Sequence, residues 1–481
     1  MTTIKLDPGA ALLLDALHGA GHAAYAVGGC VRDSLLGLDP HDWDLCTSAR
    51  PEQVMALFGE EKCIPTGLQH GTVTVKQGGR LYETTTFRTE GAYSDGRHPD
   101  AVCFVPDVRE DLARRDFTIN AMAYNAEEGL IDPFGGQDDL AAHLVRAVGE
   151  PERRFEEDAL RILRLYRFAA RFGFAIDPAT GAAARALGPH LDCVSAERIQ
   201  EELLKLLAAP RPGSYLEPAV LAVILPELEP EKQPERFAEL CRTIDRIEPT
   251  AENVPARLAA LLWPLGEAGA RKALRKLKCS NALTDEVTTL VGGSVGSFLL
   301  GHEFELRHPA DALCLERHSH PAGRCPNSNS LFPPQAAVVA VAGHSIARPI
   351  ACGNRVPPQR TVLGETPGTP NTTLTVQAKR LLGRYELPTI QRLTALCSAR
   401  HPEQAVAFAA LRAEAERLTA ENTCCRVSQL AVNGRDLMAA GVRPGPGLRQ
   451  VLNALLEAVI TGQTPNEKDA LLAAVAQFSA S

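Results

Sequence analysis

The residues best suited to chemistry lie between Tyr25 and Asp44, in YAVGGCVRDSLLGLDPHDWD. Asp42 and Asp44 are spaced i, i+2 and run into the apolar Leu45. On a strand alternate side chains point the same way, so both carboxylates would face one point. Gly28-Gly29 follows the apolar Ala26-Val27 and precedes Arg32 and Asp33. A glycine turn admits phosphate oxygens to backbone amides, and Arg32 adds a planar charged donor. Two carboxylates beside such a turn suit Mg2+ carrying a nucleotide, in which one metal lowers the pKa of an attacking hydroxyl and another steadies a leaving pyrophosphate. An Asp-X-Asp pair alone is usually surface charge. Its place 13 residues after a glycine pair, flanked by apolar residues, favours the site.

Two further constellations belong with it. Arg114-Arg115-Asp116, with Asn120, precedes the apolar FTINAMA, where a basic group at the rim of a buried segment suits a phosphate or ribose; Asp116 is equally suited to capping the local turn. Later, Glu157, Asp158, Arg161, Arg164 and Arg167 fall on a helical pattern whose arginines, three apart, share one broad face. Its bland alternative is a solvated face with ion pairs such as Glu157–Arg161, each worth a few tenths of a kcal/mol. Its functional reading is recognition of a base edge, because Asp accepts and Arg donates. Cytosine and adenine both place an exocyclic amine beside a ring-nitrogen acceptor, and uracil and guanine reverse this. One Asp158 with one Arg161 therefore accepts C and A and rejects U and G without a template.

The elements that must position these groups divide the chain. Strands and helices alternate to about residue 145: a helix over 8–22, strands at 24–27 and 43–46, a helix after Pro51, and a hairpin of Gly71–Val75 with Leu81–Phe87 around Gly78-Gly79. A polar loop, Glu90 to Pro99, follows. After Pro151 the pattern is helical to residue 290 and again from Gln377. The fold class is α+β, a mixed α/β head followed by helical regions. The expected units are 1–145, 146–210, 211–290, 291–375 and 376–481. The fourth, with ten prolines across 306–372, reads as an irregular insertion or an out-of-frame segment.

Composition narrows the class. Of 481 residues, 45% are hydrophobic and 22% charged, as in globular proteins. No basic segment leads into an apolar N-terminal run, and no apolar run is long enough to span a bilayer. Thirteen scattered cysteines fit reduced thiols, so a cytoplasmic protein is expected. With a net charge of −8, a nucleic-acid partner would be gripped by local basic patches rather than by the overall field.

GGCVRD, HDWDL, RRDFTINAMA and EDALRILRLYRFAARF, in this order, resemble the class II tRNA nucleotidyltransferases, the CCA-adding enzymes of the polymerase-β superfamily. The likeness covers residues 20 to about 210 and resumes over Leu430 to Leu472. It implies a nucleotidyltransferase head with a helical neck, body and tail. By that resemblance Asp42 and Asp44 bind catalytic Mg2+, with Glu83 as a supporting carboxylate. Gly28, Gly29, Arg32 and Arg115 contact the nucleotide's triphosphate and ribose. Asp158 and Arg161 read the base, Arg164 and Arg167 complete the pocket, and Arg198 braces the reading helix. The implied partners are CTP, ATP and the acceptor end of tRNA. Within the family, CC-only or A-only addition and poly(A) synthesis compete with full CCA addition, and outside it stands an inactive tRNA-binding protein. Cys314, His318, His320 and Cys325 have zinc-like spacing but no second paired set, and zinc is not part of the reading.

Overall fold

The computed structural model describes residues 3–90, 102–293 and 372–478. Short runs rich in β-branched, aromatic and other apolar residues form most strands of the head: β1 (Ala24–Val27), β2 (Leu45–Thr47), β3 (Cys63–Gly67), β4 (Thr72–Gln77), β5 (Arg80–Thr86), β6 (Arg88–Glu90), β7 (Val102–Phe104), β8 (Ala123–Asn125) and β9 (Gly129–Ile131). Seven form one mixed sheet in the order β3-β4-β5-β2-β1-β8-β9, and β6 pairs with β7 alone. β4 and β5 turn at Gly78 and Gly79, whose φ of 57° and 80° give the doubly left-handed two-residue turn that matches strand twist. The β6–β7 pair flanks the loop expected at Glu90 to Pro99, whose residues 91–99 lie outside the described residues.

Helices α1 (Pro8–Gly19), α2 (Gly29–Leu35), α3 (Pro51–Phe58), α4 (Val108–Ala113) and α5 (Gly136–Ala141) complete the head. α1 begins at a good N-cap: the Asp7 carboxylate accepts from the Gly9 and Ala10 amides.

Beyond the head come α6 (Pro151–Glu157), α7 (Leu160–Phe172), α8 (Pro178–Ala186) and α9 (Ala196–Leu207). One strand pair interrupts the helices: Leu144–Val145 runs parallel to Ala175–Ile176, beyond what helical periodicity predicted. α7 buries Leu160, Ile162, Leu163, Leu165, Phe168 and Ala169, and stops at Gly173, whose φ of 69° is the left-handed cap. Residues of the head, α7, α9 and the following helices share one apolar core. A separate core built on Leu437, Leu455, Leu471 and Val475 closes the C-terminal helices. The irregular stretch and zinc-like spacing between 294 and 371 lie outside the described residues.

Candidate active site

Strand register brings the carboxylates together. β1 runs antiparallel to β2, and the Val27 amide donates to the Asp44 carbonyl at 3.0 Å, which fixes Asp44 beside the Gly28 turn. β2 runs parallel to β5 with Leu45 opposite Thr84, so Asp44 stands one step back, level with Glu83. The aspartates are not on a strand, as the spacing predicted. Residues 42–44 form an irregular entry to β2, because the antiparallel ladder begins only at Leu45. The extended alternation nevertheless persists: Trp43 is buried, while Asp42 and Asp44 are exposed. Burial of its surroundings, the Glu83 charge and the Asp42 charge raise the Asp44 pKa, and Arg115 opposes them. Negative charge thus converges here faster than the protein compensates it.

Gly28 takes φ 77° and ψ −121°, and a Cβ there would lie 2.8 Å from Arg115 Nη1. Only glycine fits both the backbone and the close approach. Gly28→Ala is expected to cost about 1–3 kcal/mol of stability, read as a lower thermal midpoint, and to displace Arg115.

From Arg32 a polar chain runs through the interior. The Arg32 guanidinium donates to the Asn120 side chain and, at 2.8 Å, to Asp33, while Asn120 donates to Asp116 at 3.0 Å. Arg164 grips Asp116 Oδ2 through Nε and Nη2 at 2.9 and 2.6 Å, and Arg167 donates to Glu202 at 2.6 Å. Glu202 also lies 3.9 Å from Arg164. Phe168 forms the floor: the guanidinium carbons of Arg32, Arg164 and Arg167 lie 5.2, 5.4 and 4.0 Å from its ring centroid. Each such cation–π contact is worth about 0.5–2 kcal/mol.

Asp116 therefore both caps and binds, since its other oxygen accepts from the Phe117 amide at 2.8 Å. Burial alone would raise its pKa, but Arg164, Asn120 and Arg161 outweigh that and hold it well below the usual carboxylate range. A depressed folded-state pKa stabilises the fold above the unfolded-state value of about 3.9 and loses that contribution as pH falls below it. Unfolding free energy should therefore fall more steeply below about pH 4 in the wild type than in Asp116→Asn, measured by denaturant titration across acid pH.

The base-reading pair is arranged differently from the sequence expectation. The helix is not continuous through Asp158: α6 ends at Glu157, Asp158 is extended at φ −147° and ψ 102°, and α7 begins at Leu160. Asp158 is kept out of the helix because its carboxylate accepts the Leu160 amide at 3.1 Å and is clasped by Arg198 at 2.8 Å. Arg161 is buried, donating to Glu157 at 2.7 Å and to the carbonyls of Arg154 and Arg114 at 3.1 Å each. Asp158 and Arg161 thus sit at the two ends of one turn, closed by the Arg161 amide donating to the Asp158 carbonyl at 3.0 Å, with each side chain held by its own partner. Glu202 and Phe168 escaped the sequence reading. Glu202 had a usable signal, an acidic residue three after Ile199 on the buried face of α9.

Among the described residues no group of three or more His, Cys, Asp or Glu is arranged to hold a metal unaided, and no helix is long and apolar enough to cross a membrane.

A mixed sheet presenting converging carboxylates beside a glycine turn, with an arginine-lined helix behind, defines a nucleotidyltransferase head. Residues 24–146 match the family description "Poly A polymerase head domain". Residues 173–232 match "Probable RNA and SrmB- binding site of polymerase A", and 383–475 match "tRNA nucleotidyltransferase domain 2 putative". The CCA-adding enzyme of Levilactobacillus brevis is 34% identical over 467 residues, 96% of both chains. That of Lactobacillus helveticus is 42% identical over 281 residues, 58% of this chain and 69% of the relative. In structure, the CCA-adding enzyme of Bacillus stearothermophilus in complex with CTP superimposes with a TM-score of 0.68 at 29% identity, covering 99% of this chain and 98% of that one. The chain belongs to the CCA-adding enzyme family of tRNA nucleotidyltransferases.

Proposed function

We propose that this enzyme adds CMP and AMP from CTP and ATP to the 3′ end of tRNA, building or repairing the CCA terminus without a template. The observation that carries the reading is the placement of Asp44 level with Glu83 and beside the Gly28 turn, on the head side of an arginine-lined helix. Full-length similarity to enzymes described as CCA-adding supports the substrates.

The donor set fits magnesium. Mg2+ is commonly held by one or two carboxylates with substrate phosphates and water supplying the rest, so two or three acidic residues suffice. Asp42 and Asp44 would hold it, with Glu83 adjacent; desolvation first, and then the Glu83 and Asp42 charges, raise the Asp44 pKa, and a bound cation would offset both. Bound there, divalent metal would acidify the attacking 3′-hydroxyl and offset charge on the departing pyrophosphate.

The chain's own residues do the remainder. Gly28-Gly29 and Arg115 border the triphosphate, and Arg32 closes the other side of the turn. Asp158 accepts from the exocyclic amine of C or A, and Arg161 donates to the neighbouring ring nitrogen. Arg164 and Arg167, fixed by Asp116, Glu202 and Phe168, keep that face rigid. Specificity then follows from leaving a wrong base's polar groups unpaired. A direct test supplies CTP, ATP, UTP or GTP singly with a tRNA lacking its terminal CCA. Incorporation of C first, with U and G refused, supports the proposal, and equal use of all four removes it.

A further inference from the structure

Asp111 is wholly buried on α4, yet the chemistry above leaves it unused. Its two oxygens differ. Oδ1 accepts from Arg114 Nε and Nη2 at 3.0 and 2.9 Å and from the Arg88 amide at 3.3 Å. Among the described residues Oδ2 is buried and accepts no hydrogen bond, and Arg115 Nη2 stands 3.5 Å from it. Arg115 is loosely held in turn: among the described residues its buried Nε has no hydrogen-bond partner, while Nη1 occupies the space a Cβ on Gly28 would need. A buried acceptor and a buried donor left unsaturated side by side are costly unless function retains them.

We infer that Asp111 is a positioning residue, a buried counter-charge that holds the Arg115 guanidinium against the Gly28 turn so that it is ready for an incoming triphosphate. The inference rests on the reading of Arg115 as a nucleotide contact. Three donors clamp Oδ1 and fix the carboxylate, so Oδ2 is a fixed point on which Arg115 leans without being captured. An arginine saturated by two short carboxylate bonds would have to break them to reach phosphate. One that leans at 3.5 Å is oriented and still available. The contact is with phosphate, so CTP and ATP should feel it equally.

The experiment is steady-state kinetics of the full chain with varied CTP on tRNA lacking CCA and varied ATP on tRNA ending in CC. Asp111→Asn keeps the Oδ1 acceptor for Arg114 and the Arg88 amide but turns an amide toward Arg115. It should raise KM for both nucleotides by the same factor, about tenfold, with kcat changed less than about threefold and KM for tRNA unchanged. Arg115→Ala should raise nucleotide KM at least as much, and the double variant should be no worse than Arg115→Ala alone. Losses that multiply in the double variant, unequal effects on CTP and ATP, or a parallel rise in KM for tRNA would overturn the inference. Arg115→Ala with unchanged nucleotide KM removes the Arg115 reading and the inference together. An affected Arg115→Ala beside an unaffected Asp111→Asn removes the inference alone. If Asp111→Asn does not fold, Asp111→Glu moves the charge by one methylene: a nucleotide-specific KM rise supports the inference, and wild-type kinetics overturn it.

Discussion

Asp44→Asn is expected to lower nucleotide transfer by at least about a thousandfold while leaving tRNA affinity within about twofold. The reason is local. Asp44 is fixed by the Val27 amide at the Gly28 turn, stands level with Glu83 across β2 and β5, and carries a pKa raised by the desolvating protein packed around its carboxylate and by Glu83 and Asp42, although the residue itself keeps an open face to solvent. Asparagine preserves shape and the backbone bond from Val27 but removes the charge that would hold the metal. Because the raised pKa marks a charge the fold does not favour, the variant should melt no lower than wild type. Asp42→Ala should likewise abolish transfer. Loss of activity with loss of fold would point to a structural role, whereas loss with an unchanged melting temperature and intact gel-shift affinity for tRNA supports metal ligation.

The second large effect is on selectivity. Arg161→Ala should reduce discrimination for C and A against U and G by about a hundredfold or more, because a site built to pair a polar edge rejects its mismatch strongly only while its own group is present. Arg161 is preset by Glu157 and two backbone carbonyls, and Asp158 by Arg198, so both side chains are held in a defined orientation before any base arrives. Removing Arg161 also leaves Glu157 paired with Arg154 at 2.6 Å, so the local fold has a second cation to rely on. Misincorporation in an equimolar mixture of the four nucleotides measures the effect, and unchanged selectivity would count against base reading.

How much of this was legible in the sequence depends on what each residue reports locally. The Gly78-Gly79 hairpin was readable because glycine takes two consecutive left-handed conformations without steric cost. The mixed head and helical remainder followed from the change of hydrophobic period near Pro151. The break at Asp158 was not readable from period: DALRILRLY continues a helix by propensity, and a partner 40 residues away, Arg198, holds the aspartate outside it. Glu202 carried a signal in its place on the buried face of α9, but its partner Arg167 lies 35 residues away, and Asp111 beside Arg114 and Arg115 looks like an ordinary solvated helix pair until its burial is known. The residues at 42–44 were placed one element too far inward, yet the i, i+2 alternation still exposes both carboxylates, because extended backbone needs no ladder to alternate.

The most direct measurement is incorporation by the wild-type enzyme into one tRNA prepared in three forms: ending before the tail, at the first C, and at CC. With all four nucleoside triphosphates present, this account predicts that all three are completed to CCA, with AMP added only after CC and no UMP or GMP incorporated. No incorporation into any of the three acceptors, with tRNA still bound, would contradict it.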